Sequence, residues 1–81
     1  MTKTIESKVI KILATVMKVD VSELNSDSST DTLPTWDSMN HMKLVMFLEE
    51  EFDVHFSEDQ IVAEMLSCKQ IVDIITTELD D

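Results

Sequence analysis

Apolar positions along this chain recur with a helical period in four stretches and lose it between them. From Thr4 to Met17, Ile5, Val9, Ile12, Leu13 and Val16 fall three and four residues apart, and Ile10 and Met17 widen the stripe. That spacing predicts a helix over 4–17. From Ser38 to Phe52, Leu44, Val45, Leu48 and Phe52 share one arc at 100° per residue, predicting a second helix over 38–52. A short third helix over 58–65 would turn Ile61, Val62, Met65 and Leu66 inward. A last helix over 68–79 would do the same with Ile71, Ile74, Ile75 and Leu79.

The helix starts carry their own signals. Asp37 is a good N-cap for the second helix, because its carboxylate can accept the unpaired amides of the first turn. Pro34 keeps Leu33 extended, so helix should not precede it. Ser57 with Gln60, and Ser67 with Gln70, form two capping boxes, and Thr2 or Thr4 caps the first helix. Between the first two helices, 19–36 is a long connection. Its stretch 25–31 holds no apolar residue and should be exposed, with 26–32 lacking regular structure. A connection of that length needs anchors or a function. Val21, Leu24, Leu33 and Trp36 are the candidate anchors.

The second helix has a further apolar set, Met39, Met42 and Met46, displaced by roughly 120° from the core stripe. A helix in a small domain needs one buried stripe. The second is either more core, the lining of a cavity, or an exposed docking surface, and flexible methionine suits all three.

Composition narrows the fold. Eighty-one residues allow a single domain over 1–81, and 43% hydrophobic content is enough to fold it. There is no glycine and one proline, which weighs against hairpins, sheets and glycine-rich phosphate loops. The fold class is therefore all-α, without β-ladder in the core.

Charge narrows the partners. Six lysines, no arginine and seventeen acidic residues give a net charge of −11. Such a surface repels nucleic acid and anionic membranes and attracts basic protein patches. The longest apolar run, Leu44 to Leu48, is five residues, too short to span a bilayer, and no signal peptide is evident. A lone cysteine, Cys68, forms no internal disulfide and suits a reducing compartment, so a cytoplasmic monomer is expected. Without a positive cluster nearby, its thiol should be inert.

Candidate chemistry concentrates at the start of the second helix. Ser38 follows the Asp37 cap at the first helical position, beside free amides and the positive end of the dipole, where a phosphate would be well placed. Asp37, Ser38 and His41 also suggest a hydrolase, but a strained nucleophile turn needs flanking glycines, and by helical angle His41 points with the core stripe. His41 is better read as a satisfied, half-buried histidine, and His55 as surface loop. Asn25, Asp27, Ser29 and Asp31 alternate like calcium-loop ligands, yet Thr30 and Trp36 occupy the glycine and bidentate-glutamate positions. No metal site is expected. Glu49, Glu50 and Glu51 end the second helix against its dipole, a small local cost that recruitment of basic partners would explain.

Asp37-Ser38-Met39, continued by Leu44-Val45-Met46 and Leu48-Glu49-Glu50-Glu51-Phe52, resembles the acyl carrier protein family. The resemblance runs in pattern from about Leu24 to Leu79 and is most specific over 37–52. It implies a four-helix bundle with a long loop after the first helix and a short third helix. It implies a carrier rather than an enzyme, holding acyl groups as thioesters on a 4′-phosphopantetheine arm at Ser38. A phosphopantetheinyl transferase and the acyl-loading and acyl-transfer enzymes with basic patches would be its partners. Asp37, Met39, Met42, Met46, Glu49 and Glu50 would meet them.

Some positions depart from the family pattern: Met39 for a frequent leucine, Thr35 for a glycine, Trp36 for a small residue, and Lys43 for an acid. They point away from general fatty acid synthesis and toward a dedicated biosynthetic pathway. An aminoacyl carrier of the D-alanyl type, or an unmodified acidic helical adaptor, are the alternatives.

Overall fold

The computed structural model describes residues 2–80, and their side chains over 4–79. Three α-helices, α1 (Thr2–Met17), α2 (Ser38–Phe52) and α3 (Cys68–Asp80), are joined by a 3₁₀ turn at Val21–Glu23 and a π-wound helix at Gln60–Glu64. With the π-wound segment as the short third helix, this is the expected all-α architecture. α1 packs against both α2 and α3. Thr4 lies inside α1 rather than capping it, and the position before Thr2 is outside the described residues. No helix among the described residues is long and apolar enough to cross a membrane.

One apolar core joins the three α-helices, and Ile61 of the π-wound segment packs against it. Val9, Leu13 and Met17 of α1, Leu44 and Leu48 of α2, Met65, and Ile71 and Ile75 of α3 are completely buried, and Phe56 nearly so. Each such side chain contributes about 1.5–3 kcal/mol relative to exposure. Leu24, Leu33 and Trp36 anchor the long loop to this core as expected, but Val21 does not: it is exposed on the 3₁₀ turn. Val62 and Leu79, expected inward, are also exposed. Leu79 sits in the last turn of α3. Val62 is turned outward by the π winding, which breaks the 100° step assumed for an α-helix.

The absence of glycine shows at the helix ends. Lys18 (φ 60) and Asp53 (φ 54) occupy the left-handed positions that glycine usually fills. The Asp53 and Val54 amides both return to the Glu49 carbonyl.

The long loop is tied down, and its middle is less exposed than expected: Ser28 is buried. The Asn25 amide donates to Ser28 Oγ, the Asp27 amide to Asn25 Oδ1 and the Ser29 amide to Thr32 Oγ1. The loop also clasps the start of α3. Cys68 N–H donates to the Ser28 carbonyl (2.8 Å), Lys69 N–H to that of Ser26 (3.1 Å), and Thr30 N–H to that of Leu66 (3.0 Å). An isolated antiparallel bridge, Ser29 with Ser67, results; there is no strand among the described residues.

Candidate functional site

Ser38 opens α2. The preceding Asp37 is extended (φ −99, ψ −176), and its Oδ1 accepts the Asn40 amide at 2.9 Å, so the cap predicted from sequence is formed. The Asp37 carbonyl takes the first helical bond from His41 N–H at 2.8 Å. Asn40 Nδ2 donates back to the Thr35 carbonyl at 2.7 Å, holding the approach to the helix from the other side. Ser38 is exposed between these ties. Its backbone is fixed while its hydroxyl faces solvent at the positive end of the helix dipole.

An open groove of about 530 Å³ runs from Ser38 toward the π-wound helix, with Trp36, Met42, Ile61, Val62 and Leu66 among its walls. Two hydrogen bonds fix its upper edge. Trp36 Nε1–H donates to His41 Nδ1 at 2.9 Å, which leaves the imidazole proton on Nε2, where it is donated to the Ile61 carbonyl at 2.7 Å. The two rings lie 29° apart in plane at a centroid distance of 6.2 Å. His41 is thus half-buried and satisfied, as its helical angle implied. Both ring nitrogens are engaged away from Ser38, so no base addresses the serine and the hydrolase arrangement is not assembled.

The second apolar set on α2 faces outward. Met39, Met42 and Met46 are 72%, 50% and 66% exposed, which sets aside the core and cavity readings. Phe47 joins them at 49% exposure, a feature the stripe analysis did not single out.

The acids at the end of α2 divide. Glu50 is exposed; Glu51 pairs with Lys8 of α1 at 3.5 Å. Glu49 is drawn inward instead. Its Oε2 accepts the Phe56 amide at 3.0 Å and lies 3.4 Å from Nδ1 of the exposed His55. That carboxylate fixes the turn after α2, a use that sequence spacing did not reveal because the pair is formed around the left-handed Asp53.

Farther from Ser38, the capping boxes form with small variations. Ser57 Oγ accepts the Gln60 amide and Gln60 Oε1 accepts the Ser57 amide. Ser67 Oγ accepts the Gln70 amide, while Gln70 Oε1 reaches one residue further, to the Leu66 amide. Cys68 is completely buried. Burial, with a smaller contribution from the Glu6 carboxylate, pushes its thiol up from 9.0 to about 11. The side-chain oxygens of Asn25 and Ser29 turn onto the loop's own amides, and no cluster of three His, Cys, Asp or Glu side chains suited to a metal ion occurs among the described residues.

No family model matches the chain. It is similar to a curated protein, the acyl carrier protein of Buchnera aphidicola subsp. Schizaphis graminum (strain Sg): 36% identical over 67 residues, covering 82% of this chain and 81% of the relative.

Proposed function

Because the chain belongs to the acyl carrier protein family and is a carrier rather than an enzyme, we propose that Ser38 is where its 4′-phosphopantetheine arm is attached. The whole chain, built on one continuous core, would act as a single carrier domain. The observation that supports this reading is the exposed Ser38 hydroxyl at the first position of α2, its backbone held by the Asp37 cap and its side beside an open apolar groove.

These residues suit the group. The phosphodiester would sit against free first-turn amides and the dipole's positive end, and the groove walls Trp36, Met42, Ile61 and Val62 offer apolar surface to the arm. When bound, the arm supplies the thiol that carries an acyl group as a thioester. The protein's part is to hold the attachment point rigid and to present surface to partners. Asp37 fixes Ser38 for the transferase. Met39, Met42 and Met46 offer adaptable apolar contact, and Glu50 offers charge to basic patches on acyl-loading and acyl-transfer enzymes. Glu49 would contribute from the side of its carboxylate not committed to Phe56.

The cargo belongs, on this reading, to a dedicated pathway. Trp36 supports that reading: where the family pattern has a small residue, this chain has an indole that ties His41 and, through it, Ile61 beside the attachment point.

Incubation of the full chain with coenzyme A and a promiscuous phosphopantetheinyl transferase tests the proposal by intact mass. One phosphopantetheine should be gained, and none by Ser38→Ala, whose helical circular dichroism should match the wild type because Ser38 makes no core contact. A wild type left unmodified by several transferases would instead favour an unmodified adaptor.

A further inference from the structure

A second groove lies between α1 and α2, away from Ser38. Its volume is about 450 Å³, and Val16, Met46 and Phe47 supply its apolar surface while Lys18, Lys43 and Glu50 stand at its edge. A narrower trough of about 190 Å³ extends it along α1, sharing Val16 and Phe47 and adding Ile12 and Lys11. Phe47 is the one exposed phenylalanine or tryptophan among the described residues, and it sits where the two meet.

The charge here is the reverse of the rest of the molecule. Of six lysines in a chain of net charge −11, three edge this groove, against one glutamate. Lys8, one turn further along α1, is taken up by Glu51. Lys11, Lys18 and Lys43 form no ion pair among the described residues. An otherwise acidic carrier therefore holds an apolar trough edged with uncommitted positive charge.

We propose that this groove docks an acidic amphipathic helix of a partner protein, its apolar side on Met46 and Phe47 and its carboxylates on Lys11, Lys18 and Lys43. The dimensions favour a helix. The lining residues of α2 are 43, 46, 47 and 50, two turns or about 10 Å of helix at 1.5 Å per residue. A wall of that length accommodates two turns of a docked helix, whose apolar anchors would recur at i, i+3, i+4 and i+7. The charge favours an acidic one, since a basic segment would be drawn to almost any other face of the molecule. A free fatty carboxylate would satisfy one lysine of three, and the open trough would leave much of so small a ligand in water. A second copy would bring another −11 charge toward the first. The acidic partner is thus of opposite kind to the basic clients proposed for the Ser38 end. The two docking modes share Met46 and Glu50, so they compete.

Two synthetic helical peptides of about fourteen residues, or two heptads, test this on the full unmodified chain. Both carry leucines at i, i+3, i+4 and i+7; one is flanked by glutamates and the other by lysines at the same positions. Calorimetry and amide-shift mapping should show the glutamate peptide binding and moving the signals of Thr15, Val16, Lys43 and Phe47. The surface triple variant K11E/K18E/K43E should weaken it by about tenfold or more, while Ser38→Ala binds it as the wild type does. Three results would overturn the proposal. The glutamate peptide could fail to bind at about 1 mM. The triple variant could bind it unchanged. Or the groove signals could move with protein concentration alone, which would assign the surface to a second copy.

Discussion

The two faces of α2 are built from similar residues and put to opposite uses. Leu44, Val45, Leu48 and Phe52 are 0–9% exposed, whereas Met39, Met42, Met46 and Phe47 are 49–72% exposed. The inner face is made of branched and aromatic side chains that pack in defined rotamers. The outer face is mostly methionine, which adapts to whatever covers it. Hydrophobicity alone does not separate them. What does is shape: the inner residues belong to the core shared with α1, α3 and the loop, while Met42 looks onto one open groove and Met46 and Phe47 onto another.

Substitutions on the two faces should separate stability from partner function. Leu48→Ala should have the largest effect, a loss of about 2–5 kcal/mol in denaturant unfolding, as for other buried leucines. The same core shields Cys68, and pH reads that shielding. From about pH 9 the unfolded chain sheds a thiol proton that the native state keeps to about 11, so stability should fall with rising pH across that window and level off above it. Unfolding curves of Cys68→Ala should lack that component; identical pH slopes in the two proteins would mean the thiol is not shielded.

Asp37→Ala removes the cap between the faces. A loss of about 1 kcal/mol is expected, together with slower modification of Ser38 by the transferase. Met42→Ala should move stability least, within about 0.5 kcal/mol, yet slow acyl transfer with a client enzyme. Equal destabilisation by Leu48→Ala and Met42→Ala, with transfer untouched, would erase the distinction between the faces.

Where local chemistry decides, the fold could be read from the residues. α2 runs over the range its cap and stripe indicated, and α1 and α3 differ from expectation only at their outer ends. Ser38 was placed correctly at the first helical position because Asp37 and Pro34 both act within a few residues. The third helix could not be read in the same way. Its capping box starts it, but the winding is π rather than α, and His41, twenty residues earlier, meets the Ile61 carbonyl, a contact that no local pattern announces. Val62 then turns to solvent. The inward reach of Glu49, the lysine-edged groove and the buried Ser28 were hidden for the same reason: each depends on elements that meet only in three dimensions.

The clasp between the long loop and α3 has a kinetic consequence. Two amides in the first turn of α3 find their acceptors at Ser26 and Ser28, some forty residues back along the chain. That turn is therefore incomplete until a loop of such length has closed, which costs entropy before any contact offsets it. The start of α3 should gain its amide protection late in refolding, in step with the loop and after the α1-facing middle of the same helix. In the native protein, hydrogen exchange at Cys68 and Lys69 should report the opening of a loop that lies far from them in sequence.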